Sequence, residues 1–497
     1  MSRVLGFVRD IVIATAFGTG LGAEAFVVSF RIPNLLRDLV GEGATNSAFV
    51  PVLTECREKQ KEAFWGLVST LFFVMAAILA ALAFLGVLFA PQIVSVLAPG
   101  FTHSADPQKF PLTVKLTRVI FPYIFLIGLS ALAMGVLNAL QEFTSSAFGP
   151  VLLNVCMILS GVFFEKTYGP MALVVAVLAG GVLQLLWQVP PLVKRGFRFT
   201  RPAVDHGYAA KIGKLLLPRA LGSAIYQINV FVDSILASFE TIVGLGGQSA
   251  LYYANRLFQL PLAIFGMSLA QAILPTFSMQ HLRQDKEAFR ETLSAAIRSL
   301  LFIILPASAG LVVFSRPIIR ILFQHGHFDE VSTRITSGAL FFYAFGLLSC
   351  CLIKLFVNAF YAMQDTRTPV KTMFFSVMLN IVLSLALMRP LKIGGLALAS
   401  SLSATMNAAL LYHFLRKKTG SLQGKLIFRS LLKVLAAVSV MVAAALWYDR
   451  RILEPCVAAA SFVQASALFA GIVVCVLLYF AVCWVLKVET IGKIFRW

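Results

Sequence analysis

The run "FWGLVSTLFFVMAAILAALAFLGVLFA", from Phe64 to Ala90, holds no charge and exceeds the roughly 20 apolar residues that cross a bilayer. "ALFAGIVVCVLLYFAVCWVL", from Ala467 to Leu486, does the same. At that depth no water reaches backbone amides and carbonyls, so such runs must be helices. They set the composition of the whole chain: of 497 residues, 59% are hydrophobic and 13% charged. The expected class is an all-α polytopic membrane protein. About fourteen spans are expected, centred near residues 10, 40, 77, 126, 155, 180, 225, 262, 304, 346, 378, 403, 438 and 474. The first looks short, and with no charged, cleavable leader ahead of it no signal peptide is expected.

The net charge of +20 would suit nucleic acid if it formed one patch. It does not. Lys and Arg crowd alternate loops, at Arg57 to Lys61, Lys194 to Lys214, Arg283 to Arg298, Arg367 and Lys371, Arg416 to Lys433, and Lys487 to Arg496. The intervening loops hold fewer. This is the positive-inside pattern, with both termini expected in the cytoplasm and no nucleic-acid partner.

Seven cysteines form no C-x-x-C pair, and five lie in apolar spans, as small buried residues do. The six histidines show no ligand spacing, so no metal centre is expected. His325 and Asp329 in "HGHFD" match an H-x-x-x-D general-base pattern, but no companion nucleophile motif accompanies them, and a chance match is the better reading.

The chain repeats itself. "FPYIFLIGLSALAMGVLNAL" aligns without a gap on "FFYAFGLLSCCLIKLFVNAF", pairing Tyr123 with Tyr343 and Asn138 with Asn358. Asn34 against Asn255, Pro51 against Pro275 and Trp187 against Tyr412 keep an offset of about 220 residues. That length holds six spans, and an even number makes the copies parallel. The expected organisation is a first lobe at 1–193, a second lobe with its preceding linker at 194–416, and two further helices and a tail at 417–497.

Charges interrupt the apolar pattern in "FRIPNLLRDLVGEGATNSAFVPVL", Phe30 to Leu53. Asn34, Arg37, Asp38, Gly41, Glu42 and Thr45 recur at helical spacing and share one face. Pro33 should bend or break the helix just ahead of them. Arg3 and Asp10 lie about 20° apart around the first span, with Arg9 about 100° from Asp10. Arg256 falls in the second copy of the Asn34 region. At roughly 2.5 to 3.5 kcal/mol each, Arg3, Arg9, Arg37 and Arg256 would cost on the order of 10 to 14 kcal/mol if they faced lipid. One reading pairs them internally, Arg9 with Asp10 and Arg37 with Asp38 or Glu42, or lets them snorkel. The other places them in a hydrated cationic cavity whose planar forks suit a phosphate-bearing ligand.

"SRVLGFVRDIVIATAFG", "FRIPNLLRDLVGEGATNSAFVPVL", "LYYANRLFQLP" and "NAFYAMQDTRTPVK" resemble the signatures of the MurJ (MviN) family, lipid II flippases of peptidoglycan synthesis within the multidrug/oligosaccharidyl-lipid/polysaccharide exporter superfamily. The likeness covers essentially the whole chain. It implies fourteen helices in two lobes, a groove for the lipid tail at the last two, and alternating access in the bacterial inner membrane. It also implies lipid II as partner, a role in cell-wall biogenesis and cell shape, and no enzymatic activity. By position it assigns substrate contact to Arg3, Arg9, Arg37 and Arg256, with Asp10, Asn34 and Ser249 nearby, and a gating or charge network to Glu24, Asp38, Glu42 and Gln259. Glu24 stands where the family usually has aspartate, and Gln259 where it commonly has glutamate, so a salt bridge at the latter is in doubt. Members usually carry more residues ahead of "SRVLGF". Some bind sodium, and Asp233, Asn380 and Ser384 resemble part of that site, without a partner carboxylate. No other cofactor is implied.

Three other functions compete, one of them a non-transporting scaffold, which would not need buried arginines at all. An exporter of another polyprenyl-linked oligosaccharide would share the fold, although arginines argue against a cationic-drug pump. A lipid-phosphate enzyme would need its acids together, whereas Asp10, Asp38, Glu42 and Asp233 are scattered over three helices.

Overall fold

The computed structural model describes residues 2–37, 49–200 and 206–489. They divide into two compact units: unit 1 is Met1–Thr241, Leu245–Ser249 and Gly326–Phe328, and unit 2 is Ile242–Gly244, Ala250–His325 and Asp329–Trp497.

Unit 1 begins with α1 (Ser2–Phe17), α2 (Leu21–Arg37), α3 (Val50–Lys59), α4 (Phe64–Leu88), α5 (Ala90–Leu97) and α6 (Lys109–Ile120). It continues with α7 (Tyr123–Ala139), α8 (Phe143–Phe163), α9 (Glu165–Tyr168), α10 (Pro170–Lys194) and α11 (His206–Ala237). The short α12 (Glu240–Val243) and then α13 (Gly247–Pro261) cross into unit 2. There follow α14 (Ser268–Leu282), α15 (Lys286–Val313), α16 (Ser315–Phe323), α17 (Glu330–Phe345) and α18 (Leu347–Ala362). The last four are α19 (Arg367–Leu391), α20 (Ile393–Thr419), α21 (Gly424–Tyr448) and α22 (Ser461–Val485).

Among the described residues, 10 helical segments are long and apolar enough to cross a membrane, or 11 when α17 and α18, bent by 45°, count as one. The protein is therefore an all-α, multi-pass membrane protein. The positions expected for the first, second and seventh spans are filled by α1, with only 16 residues, by α2, described as far as Arg37, and by α11. The centre expected near residue 40 lies outside the described residues.

Helix starts reproduce the sequence repeat: Phe64, Ala90, Lys109, Phe143 and Pro170 recur at Lys286, Ser315, Glu330, Arg367 and Ile393. Packing repeats with them. The α8/α10 and α7/α10 pairs of unit 1 have counterparts in α19/α20 and α18/α20 of unit 2. In unit 1, α4 buries Leu67, Val68 and Leu71 while Phe73, Val74, Ile78 and Phe84 stay exposed, as expected of a helix with lipid on one side. In unit 2, Val434, Ala437 and Met441 of α21 and Cys475, Tyr479 and Cys483 of α22 pack with Phe302 and Phe314.

Pro33 does not end its helix. The expected break is absent, because α2 runs on through Pro33 to Arg37, one further turn. Gly18, at φ +56° between α1 and α2, tolerates a conformation other residues resist, and a Cβ there would strike the His327 carbonyl.

Candidate functional site

Two charged clusters lie inside unit 1. The first joins α1 to α8. The Arg9 guanidinium donates Nε and Nη2 to Asp10 Oδ1 at 3.0 and 2.8 Å, and Nη1 to Asn154 Oδ1 at 3.0 Å. Arg9 is 5% and Asp10 2% exposed, so the charge is withdrawn from lipid and met by an opposite charge. In this structure Arg9 pairs internally with Asp10.

The second cluster sits where α2, α6 and the segments around α12 and α13 meet. Lys109, which starts α6, pairs with both Glu24 and Glu240, and their side chains are 4%, 2% and 8% exposed. Its Nζ also lies 4.3 Å from the centre of the Phe101 ring. Ser104 donates to Glu240 at 2.7 Å. The other Glu24 oxygen accepts the backbone N–H of Gln248 at 3.0 Å, so a carboxylate caps the first turn of α13, where helix amides lack partners. One residue on, Ser249 Oγ donates to the carbonyls of Thr19 and Gly246, each at 3.2 Å. Gly246, at φ +81°, turns the chain into α13 against Thr19.

In unit 2, Arg256 of α13 donates to Tyr252 Oη at 3.1 Å, and its Cζ stands 4.8 Å from that ring's centre. Gln259 lies half-buried on the same helix. Asn34 in unit 1 carries a buried Oδ1 with no hydrogen-bond partner among the described residues, a group that a ligand or water would satisfy. Arg3 and Arg37 lie on α1 and α2, while Asp38 and Glu42 fall outside the described residues.

The residues grouped as a cation site belong to different units. Asp233 belongs to unit 1, whereas Asn380 and Ser384 are buried in unit 2, where Ser384 Oγ donates to Asn380 Oδ1 at 3.0 Å. Among the described residues, no group of three or more His, Cys, Asp or Glu could hold a metal. In "HGHFD", the Asp329 carboxylate caps α17 by accepting the Ser332 N–H at 2.7 Å, and this bond holds it below the usual carboxylate range.

Lys109, Glu240, Gln248, Asn154 and Tyr252 were not singled out by the sequence. Tyr252 sits four residues before Arg256, a spacing that signals a shared helix face. The others are brought in from distant segments by packing alone.

The profile of the family described as lipid II flippase MurJ matches residues 13–476. A probable lipid II flippase MurJ of Haemophilus influenzae is 36% identical over 469 residues, 90% of each chain. The chain belongs to the MurJ family. The lipid II flippase MurJ of Burkholderia cenocepacia is 38% identical over 84% of this chain and 82% of its own. A solved lipid II flippase MurJ in an inward closed conformation matches 99% of this MurJ-family chain and 98% of its own, with a TM-score of 0.81 at 25% identity. A multidrug resistance transporter of the MATE family, in an inward-facing conformation, shares the fold at a TM-score of 0.72 and 14% identity, covering 85% of this chain and 96% of its own. Family and fold neighbours alike are transporters.

Proposed function

We propose that this MurJ-family protein carries lipid II, the undecaprenyl-pyrophosphate-linked peptidoglycan precursor, from the cytoplasmic to the outer leaflet of the bacterial inner membrane by alternating access, with both termini cytoplasmic. The observation that supports this most is the guanidinium of Arg9, kept charged inside an apolar helix by one carboxylate oxygen and one amide oxygen. A phosphate oxygen makes the same kind of bond to a guanidinium fork as Asp10 Oδ1 does. In this reading Asp10 is an internal counter-ion that the pyrophosphate replaces, and Arg3, Arg37 and Arg256 complete the headgroup's charge complement. Asn34 supplies an acceptor for a sugar hydroxyl or peptide N–H.

Residues 1–193 and 194–416 are the lobes that alternate, and 417–497 add α21 and α22 for the lipid tail. Glu24, with Lys109 and the start of α13, is a latch that parts when the far side opens. The membrane potential supplies direction: about two negative charges leaving a negative interior gain up to about 4.6 kcal/mol at 100 mV. Sodium held by Asp233, Asn380 and Ser384 is the second reading, and Asn380 and Ser384 bonded to each other favour it least. The test is outward flipping of fluorescent lipid II in vesicles holding only this protein, with Arg9→Ala and Arg256→Ala as controls. Flipping of other polyprenyl-linked sugars at the same rate would favour the related-exporter reading.

A further inference from the structure

Away from the charges inside the helices, unit 2 carries an open cleft between α16 and the turns linking α21 to α22. Its walls have opposite sign. On one side stand Arg316 and Arg320, four residues apart on one face of α16, whose other face buries Ile319 and Phe323. Both arginines share a single carboxylate in direct contact, Glu330, at 2.5 and 3.3 Å, while Asp449 across the cleft attracts them from beyond contact distance. On the other side stand Asp449, half-buried, and Glu454, exposed. Neither forms an ion pair among the described residues.

Both walls rest on one packed core, to which Phe314 and Leu453 belong together with residues of α15, α21 and α22. Gln464 donates both amide protons to the carbonyls of Val457 and Ala459, leaving its own carbonyl as an acceptor on a lining residue. Trp447, 62% exposed, and Phe462, 83% exposed, lie two residues along the chain from the lining residues Asp449 and Gln464, near the ends of two candidate spans. An aromatic at such a position marks the membrane interface, so the cleft lies at headgroup depth.

A ligand that satisfies both walls must carry an anion and a cation a few ångströms apart, with acyl chains beside them. We propose that this cleft binds the headgroup of a zwitterionic phospholipid, phosphatidylethanolamine, with its phosphate on Arg316 and Arg320 and its ammonium between Asp449 and Glu454. Guanidinium forks take phosphate oxygens in pairs, and a primary ammonium offers three donors to carboxylates. Choline offers none, and phosphatidylglycerol brings no cation for the acidic wall.

The test is native mass spectrometry of the full-length protein in detergent with equimolar dioleoyl phosphatidylethanolamine, phosphatidylcholine and phosphatidylglycerol. The ethanolamine lipid should bind about tenfold better than either other lipid, the factor expected of one retained charge-assisted contact. Asp449→Asn with Glu454→Gln should abolish its preference over choline lipid, and Arg316→Ala should weaken the ethanolamine lipid and phosphatidylglycerol alike. If the double variant does not fold, Glu454→Gln alone, at an exposed position, should reduce the preference. Equal binding of all three lipids, a preference for phosphatidylglycerol, or an unchanged preference in the carboxamide variants overturns the assignment.

Discussion

Arg195, one residue before Gly196, and Lys418, two residues before the corresponding Gly420, each close an ion pair onto the acid that precedes α8 or α19. Arg195 meets Glu142 at 3.0 Å, and Lys418 meets Asp365. Each acid follows a glutamine in the left-handed region, Gln141 at φ 63° and Gln364 at φ 58°. The duplicated sequence therefore preserves a turn and its ion pair as well as helix lengths.

The two acids differ in one respect. Asp365 also accepts the N–H groups of Arg367 and Thr368, each at 3.0 Å, and the Thr368 hydroxyl, whereas the Glu142 side chain caps nothing. Asp365→Ala should then cost about 1 kcal/mol through the lost cap, while Glu142→Ala should cost less, as exposed pairs do. Burial alone would push the Asp365 carboxyl up, but the bonds from Lys418 and Thr368 together outweigh it and hold it below the usual range. A depressed folded-state pKa adds stability above the unfolded value, near about 3.9, and loses it as pH falls through the folded value. Melting curves of wild type and Asp365→Asn should differ most above pH about 4 and converge below it.

Lys109 stands between two carboxylates that are almost wholly buried. Lys109→Met leaves both without their cation and should destabilise the protein by about 3 to 5 kcal/mol. Adding Glu24→Gln and Glu240→Gln should recover most of that loss. Thermal melts of the single and triple variants decide it, and equal melting points would show that the lysine does not compensate the acids.

Asp10 occupies the Arg9 fork. If it competes with a phosphate, Asp10→Asn should strengthen binding of lipid II by up to about tenfold and slow its release. Native mass spectrometry with graded lipid II reads the affinity, and unchanged binding would mean that Asp10 does not compete.

If the potential directs transport, collapsing it with an ionophore at fixed sodium and pH gradients should slow outward flipping. Flipping unchanged at zero potential but stopped by sodium removal would transfer coupling to Asp233, Asn380 and Ser384.

Much of this was legible in the sequence because lipid leaves few options. Apolar runs such as Phe64 to Ala90 must be helices, and the offset between Tyr123 and Tyr343 predicted helix starts that recur from Lys109 to Glu330. The Arg9 and Asp10 pair was readable as adjacent opposite charges. Asn154 was not, since only the packing of α1 on α8 brings it to Arg9 across 145 residues. Nor was Glu240, which reaches Lys109 across 131 residues from a short turn with no periodic signal. Of the bend or break that the local rule foresaw at Pro33, the break is absent, since the helix carries on to Arg37.

The most direct test of the central claim is the rate of outward lipid II flipping in vesicles containing this protein alone, compared with Arg9→Ala, Arg9→Lys and Arg256→Ala at equal protein incorporation. The account expects flipping by wild type, partial flipping by Arg9→Lys, which keeps the charge and loses the planar fork, and none by the alanine variants. Wild-type rates in both alanine variants would contradict it.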